Sequence, residues 1–390
     1  VKYVAGALTV ATYQRNAIQT DLRLPRDRSL AFPLLGVFGE VGTLLSETKK
    51  KHRDEATYKG YETSVLTEIG DVLWYVSAIA TRGNISLPYL MHNLDNALAS
   101  WGATVPRNLK FVDIRSRTTR RLSAPTPEFD RTLLQLAAEV GLLVVDERAG
   151  RLENNQAALA GRLSAVLRAL RAAADEAGVT LAEAACGNLK KIFDRWPAKK
   201  IYPRLLDDGF PKNERLPRKI RFDLIEDTNS DGKHVVPLYE GVQLGDKLTD
   251  NRMEDDDYRF HDAFHLAFAA KLGWSPNIRR LLKKKRKSVP KVDQVQDGAR
   301  AVLIEEGIST WIFNHAQRLD FFDGADSVDG EILKVVRQFV EGYEVQDMPL
   351  WLWEEAILDG YTVFRELRKR RRGAVTADLD ARTVTFKELP

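Results

Sequence analysis

The sequence predicts a mainly α fold: an all-alpha helical-bundle domain followed by a second, mostly helical domain with a small terminal β hairpin. Three observations carry this expectation. Apolar residues recur three and four apart through most of the first two hundred positions and again from about 256 onward, the period of helices with one buried face. Between those stretches, residues 197–250 become rich in Pro, Gly, Asp and Lys and hold only short alternating pieces. The tail alternates on both sides of Asp380-Ala381-Arg382, the pattern of paired strands.

A chain of 390 residues exceeds one typical domain. The boundaries are read as a helical domain over 1–197 with an insertion near 100–150, an irregular linker with short strands over 198–250, and a helical C-terminal domain with the hairpin over 251–390. Within the first domain a helix is expected over 9–20, capped by Thr9 or Thr12. Pro25 and Pro33 bound a link into the run 34–50, where Leu34, Leu35, Phe38, Val41, Leu44 and Leu45 make one buried stripe. Gly36, Gly39 and Gly42 lower its intrinsic helicity and let a neighbouring helix approach. The run 61–81 carries Leu66, Ile69, Leu73, Val76, Ile79 and Ala80 on one side and stops at Gly83-Asn84.

Ser86-Leu87-Pro88 opens a helix expected to run to about 99, and the three prolines of 101–127 mark a link or an irregular insertion. Helices follow at 128–148, 155–177 and 181–195, the last ending at Trp196-Pro197. Ile220 to Leu224 and Val235 to Tyr239 read as small strands. Helical patterning returns at 256–272, 297–319, 327–342 and 349–371, before the hairpin of Val375 to Leu379 and Thr383 to Lys387.

Composition narrows the function classes. An apolar content of 44% with 9% aromatics is globular and excludes wholesale disorder. The single cysteine, Cys186, excludes an intramolecular disulfide framework and a Cys-based zinc site, and makes a reducing cytoplasm the expected location. No apolar run is long enough for a membrane span, and the opening segment lacks the apolar core and cleavage pattern of a signal peptide, so it reads as domain structure. A formal charge of +4, from 59 basic and 55 acidic residues, gives no global case for nucleic acid. The local runs Lys49, Lys50 and Lys51, Lys283 to Lys287, and Arg368 to Arg372 are either solvated helix ends or phosphate contacts.

The densest chemical signal is acidic. Glu40 and Glu47 stand two turns apart on one hydrophobic run, and Glu68 and Asp71 one turn apart on the next. A lone acid on a helix is ordinarily solvated. Glu68 and Asp71, however, sit inside Leu66 to Val76, where an unpaired buried charge is expensive. If the two helices face each other the carboxylates share one pocket, and a bound cation would relieve their repulsion. All-oxygen ligation points to Mg²⁺, with Mn²⁺ as the alternative, and the usual task of such a site is to hold a triphosphate. No Gly-x-x-x-x-Gly-Lys-Ser/Thr loop is present, which argues against a P-loop ATPase. Asn188, Lys191 and Arg195 recur on one helical face, as either surface polarity or a contact to a ribose and phosphate tail.

Tyr13-Gln14-Arg15-Asn16-Ala17, Gly39-Glu40-Val41-Gly42, Glu68-Ile69-Gly70-Asp71 and Asn188-Leu189-Lys190-Lys191, in that order, resemble the MazG-like all-alpha nucleoside triphosphate pyrophosphohydrolases over residues 9–197. The resemblance implies that Glu40, Glu68 and Asp71 ligate Mg²⁺ and that Asn188 and Lys191 hold substrate. It implies further that water attacks the α–β phosphoanhydride of an NTP or dNTP, giving the monophosphate and pyrophosphate. Gln14, Lys50 and Arg195 complete the expected substrate contacts. The family's Glu-x-x-Glu ends here in Thr43, and Glu47, one turn on, is the expected substitute among the catalytic and metal-binding residues. The long interval between Asp71 and Asn188 is read as an inserted helical pair. Members of the family often complete the site across subunits, so a homodimer is one expectation; the other is that the second helical half, as a divergent related module, fills that place.

In that half, His261 and His265 stand four apart beside Asp262, and Glu305 and Glu306 lie in an apolar run. Either the histidines are tied into a polar network, or Asp262 with Glu305 or Glu306 builds a second carboxylate site. Asp262 stands where a metalloprotease motif needs glutamate, which excludes that motif. For the whole chain, Mg²⁺-dependent pyrophosphohydrolysis stands against a non-catalytic nucleotide-sensing or protein-interaction module on a degenerate fold. Nucleic-acid binding through the basic runs is a third class, and predicts a steep salt dependence indifferent to Glu68 and Asp71.

Overall fold

Local signals start most of the helices in this computed structural model, which describes residues 4–24, 26–95, 108–117, 121–230 and 232–389. The Thr9 hydroxyl accepts from the Thr12 N–H to cap α1 (Val10–Ala17). Next come α2 (Ala31–Asp54), α3 (Tyr61–Arg82) and α4 (Leu87–His92), the last capped by Ser86 with Pro88 in its first turn. Thr126 caps α5 (Pro127–Arg148), Asn155 caps α6 (Gln156–Glu176), and Thr180 and Glu183 cap α7 (Leu181–Arg195) reciprocally. The helix expected to reach residue 99 ends at His92. Residues 96–107, which take in the end of that expected helix and the start of the expected link, and 118–120, within the link, lie outside the described residues.

These helices make up the first of two units, residues 1–198, and the second is 199–390. In the first, α3 is the central element, packed against α2, α6 and α7. The buried stripe of α2 is Leu34, Val37, Val41, Leu44 and Thr48. Leu35 and Phe38, expected in that stripe, are 76% and 53% exposed. Apolar residues cover more than half the circumference of α2, and its actual phase is set by α3 and α5. Gly36 is the close approach among its glycines: a Cβ there would lie 2.0 Å from Cε1 of Tyr75, whereas at Gly39 and Gly42 it would meet nothing within 4 Å. Gly70 does the same where α3 meets α7, because a Cβ would come 2.8 Å from the Ala184 carbonyl oxygen and 3.0 Å from Cβ of Asn188.

The second unit is built on an antiparallel sheet. Its strands are β1 (Lys219–Asn229), β2 (Gly232–Tyr239), β3 (Val242–Gln243), β4 (Arg372–Asp378) and β5 (Thr383–Lys387), in the order β3-β2-β1-β4-β5. Phe222 of β1 pairs with Tyr239 on one side and Val375 on the other. The pieces expected as linker strands thus extend the terminal hairpin into one sheet. Among the described residues the helices that complete the unit are α8 (Asp262–Leu272), α9 (Pro276–Leu281), α10 (Pro290–Val295), α11 (Ala299–Ala316), α12 (Gly330–Phe339) and α13 (Leu350–Arg370). Every residue of α8 is buried, because it lies between α13 and strands β4 and β5.

The basic run 283–287 is not uniformly solvated: Lys283 and Lys287 are exposed, whereas Arg286 is drawn into the core. Arg286 is fully buried and bonds Asp297 at 2.6 Å and 3.1 Å and Glu344 at 2.9 Å. In the run 368–372, Arg368 and Arg371 both reach Asp257, Arg368 at 3.0 Å. Among the described residues no helix is long and apolar enough to cross a membrane.

Candidate metal centre

Glu40 comes from the middle of α2, and Glu68 and Asp71 from one turn of α3, so the packing of these two helices decides whether the acids meet. They do: one carboxylate oxygen from each lies within 4.8 Å of the others. Asp71 is buried. The Asn188 amide on α7 donates to its Oδ1 at 2.9 Å, and the Lys191 ammonium reaches its Oδ2. Behind them the Tyr13 hydroxyl donates to Asn188 Oδ1 at 2.9 Å, which fixes which way the amide faces. Gly70 allows this contact, since α7 could not come so close to any residue with a Cβ.

Electrostatically the cluster is acid-rich. Burial, then the charge of Asp71, then Glu40 push the Glu68 carboxyl up to about 8. Its Oε2 is buried with no hydrogen-bond partner among the described residues. The Tyr13 hydroxyl is raised as well, by burial and then by Asp71. A set of oxygen donors with one buried, unpartnered oxygen and a carboxyl that resists ionisation fits a hard divalent cation such as Mg²⁺ or Mn²⁺.

The cluster opens on a cleft of about 360 Å³ whose lining includes Glu40, Asp71, Asn188 and Lys191 together with Phe32, Trp74, Tyr75 and Trp196. Trp74 is held by its indole N–H, which donates to the Ala17 carbonyl at 3.2 Å and the Thr20 hydroxyl at 3.1 Å. Asp21, on the cleft wall, is locked by Arg82 through bonds of 2.8 Å and 3.0 Å, both side chains being buried. Arg82 also donates to the Asp27 carbonyl at 3.0 Å, so one guanidinium fixes this wall.

Other expected site residues go elsewhere. Glu47 bonds Lys50 and the Tyr58 hydroxyl and is not one of the three converging acids; Lys50 is thereby tied to Glu47 on the exposed end of α2. Thr43 is exposed, its hydroxyl donating to the Gly39 carbonyl at 3.2 Å. Gln14 spends its amide on the α3–α4 turn, donating to Thr81 at 3.0 Å and the Ile85 carbonyl at 2.9 Å and accepting from Leu87 N–H. The Arg195 guanidinium lies 4.7 Å from the ring centroid of Trp196. The sequence reading missed Arg23 and Phe32, which stack with 4.4 Å between guanidinium carbon and ring centroid. Arg23 lies in the non-periodic link before α2 and Phe32 in the first turn of α2, and no pattern in the sequence brings the two together.

The second unit brings His261, His265 and Glu306 together, again with donor atoms within 4.8 Å of one another. Glu305 stands behind them, 2.9 Å from Nδ1 of His265. Asp262, expected in this group, opens α8 and is buried outside the three-residue cluster. Burial opposes the charge on His265, but Glu305 and Glu306 outweigh it and lift this imidazole above its ordinary range.

The fold and the first site define a mainly helical protein with a carboxylate-rich candidate metal centre above an aromatic cleft. Residues 201–390 match the family model described as the MazG C-terminal domain, so a MazG-like module occupies that part of the chain. The motif resemblance of residues 9–197 lies outside the matched segment. No curated protein and no solved structure matches the chain. Together the family match and the two clusters support a MazG-like, nucleotide-hydrolase type of function in general.

Proposed function

We propose that residues 1–198 form an Mg²⁺-dependent nucleoside triphosphate pyrophosphohydrolase that cleaves the α–β phosphoanhydride of NTPs or dNTPs. The observation that carries this reading is the buried, unpartnered oxygen of Glu68 beside Glu40 and Asp71 at a cleft lined by aromatic side chains and Lys191. Glu40, Glu68 and Asp71 would hold the ion, which supplies charge neutralisation for the triphosphate and for the charge that develops on displacement. Lys191 lines the same cleft with its side chain 46% exposed and provides a cation for phosphate oxygens. Trp74, Tyr75, Phe32 and Trp196 offer apolar faces for a base. Without metal, burial and the neighbouring acids keep the Glu68 carboxyl protonated up to about pH 8, so a bound ion would take the place of that proton.

Asn188 and Tyr13 act through Asp71: the amide they hold in place fixes one of its oxygens. The lone Cys186 thiol suits a cytoplasmic setting. Exposed Leu35 and Phe38 on α2 favour pairing with a second copy.

A second reading has its own support. Asp71 is already satisfied by Asn188 and Lys191, and Thr43 supplies no carboxylate, which suits a nucleotide-sensing module. Pyrophosphate release from NTPs and dNTPs with Mg²⁺ or Mn²⁺, run beside Glu68→Gln, separates the two. Metal-dependent release of monophosphate and pyrophosphate that is lost in the variant supports the enzyme. Nucleotide binding without turnover by the folded native chain supports the sensor.

A further inference from the structure

The histidines of the second unit are arranged differently from a solvated pair. His265 is 1% exposed and Glu305 is fully buried. Glu305 is itself held by the Ser275 hydroxyl at 2.6 Å and the Asn277 N–H at 2.9 Å, and so is fixed before it meets Nδ1 of His265. His261 is fixed on both sides: its Nδ1 lies 2.9 Å from the Tyr258 carbonyl, and its ring stacks on Tyr258 at 4.5 Å and 4°. Tyr258 is anchored in turn by the Thr310 hydroxyl at 2.8 Å.

With both Nδ1 atoms committed, both Nε2 atoms turn toward Glu306. His265 Nε2 lies 3.3 Å from Glu306 Oε1, and His261 Nε2 lies 4.0 Å from Oε2. The first of these is an ion-pair distance without hydrogen-bond alignment, and His265 Nε2 is buried with no hydrogen-bond partner among the described residues. At 3.3 Å without alignment and at 4.0 Å the carboxylate holds neither imidazole nitrogen in a hydrogen bond, whereas a cation placed among the three would engage all of them.

We propose that His261, His265 and Glu306 form a binding site for a divalent transition-metal ion of the zinc class, independent of the carboxylate centre in the first unit. Two imidazoles and one carboxylate suit zinc-class ions better than Mg²⁺, which favours oxygen donors. Glu305 takes the part of the carboxylate that sets the tautomer and orientation of a ligating histidine. Three protein ligands leave a coordination position for water or a ligand oxygen, the pattern of working rather than purely structural sites. That position has somewhere to face: His261, Glu306, Tyr258 and Thr310 line a cleft of about 630 Å³ with Asn314 and Asp256.

The test uses the full chain, stripped with chelator and titrated with Zn²⁺ and Co²⁺ by calorimetry, with Co²⁺ absorbance as the coordination readout. Glu68→Gln serves as the background, so that ions held by the first cluster are discounted. One equivalent with Co²⁺ bands of nitrogen and oxygen ligation is expected. His261→Gln and Glu306→Gln should each weaken binding at least tenfold while keeping the native circular dichroism and melting profile. Glu305→Gln should keep the stoichiometry and lower affinity roughly 10–100-fold. Equal affinity in native protein, His261→Gln and Glu306→Gln would overturn the proposal. So would an absence of Co²⁺ bands in the folded native chain, which would leave His265 as a buried imidazolium between two glutamates.

Discussion

Gly70→Ala tests whether the contact between α3 and α7 sets the carboxylate centre. The new Cβ would sit 2.8 Å from the Ala184 carbonyl oxygen and 3.0 Å from Asn188 Cβ, where ordinary contact begins at 3.4 Å. Nearby backbone must therefore move by roughly half an ångström. Overpacking of this kind costs about 1–3 kcal/mol, and replacing an interior helical glycine returns about 1 kcal/mol. The net loss is about 0–2 kcal/mol, a fall in melting temperature of up to about 8 °C for a domain of this size. The effect on the site should be larger in proportion, since the bond from Asn188 to Asp71 spans 2.9 Å and has little room to stretch. Mg²⁺ affinity measured by calorimetry should drop about 10–100-fold, the usual consequence of disturbing a ligand's outer partner. Gly42→Ala is the internal control: a Cβ there meets nothing within 4 Å, so it should stabilise by up to about 1 kcal/mol and leave metal binding alone. If Gly70→Ala behaved like Gly42→Ala, stabilised and binding Mg²⁺ as well as the native chain, the helix contact would not be what positions Asp71.

Three further outcomes are expected. Glu68 has its pKa raised on folding to about 8, so its contribution to metal-free stability is fully present below its unfolded value near 4.5 and is lost as pH rises through about 8; the native melting temperature should fall across that window relative to Glu68→Gln, and a parallel decline in both would refute the assignment. Arg82→Met leaves Asp21 buried without its partner and should cost about 3–5 kcal/mol in urea unfolding, so a loss under about 1 kcal/mol would show the pair to be dispensable. At concentrations too low for pairing, Leu35→Lys, on the exposed side of α2, should stay within about 0.5 kcal/mol of native stability, whereas Val37→Lys, fully buried, should prevent stable folding; equal effects would restore the phase expected from sequence.

How far the sequence could be read depended on whether a signal was local. Thr9, Ser86 and the Gly83-Asn84 stop sit within a few residues of the helix ends they specify, and each end was legible. The three converging acids were legible for a related reason: Glu68 and Asp71 interrupt an apolar run at helical spacing, and an acid in such a place needs a partner. Phase was harder on α2, because Leu35 and Phe38 are as apolar as Val37 and Val41 and only the neighbouring helices choose between them. Pairing across the chain was not legible at all. Alternation in β1 shows that Phe222 faces a core, but not that its neighbours are Tyr239 and Val375. Arg286 looks like any member of its lysine-rich run until Asp297 and Glu344 are brought to it.

The same distinction explains why the two clusters differ in what they would bind. Both arise from polar residues set into apolar helices, and in both a carboxylate or imidazole is buried beyond what its protein partners satisfy. In the first unit the cation already present, Lys191, answers one acid of three, and all the remaining donors are oxygen. In the second, Glu305 has committed one side of His265, so what remains to be satisfied is nitrogen. A hard ion meets the first demand and a zinc-class ion the second. Because each demand is set by its own helix pair, α2 with α3 in one unit and α8 with α11 in the other, loss of Glu68 should leave the histidine cluster's metal affinity untouched, and loss of His261 should leave Mg²⁺ binding untouched.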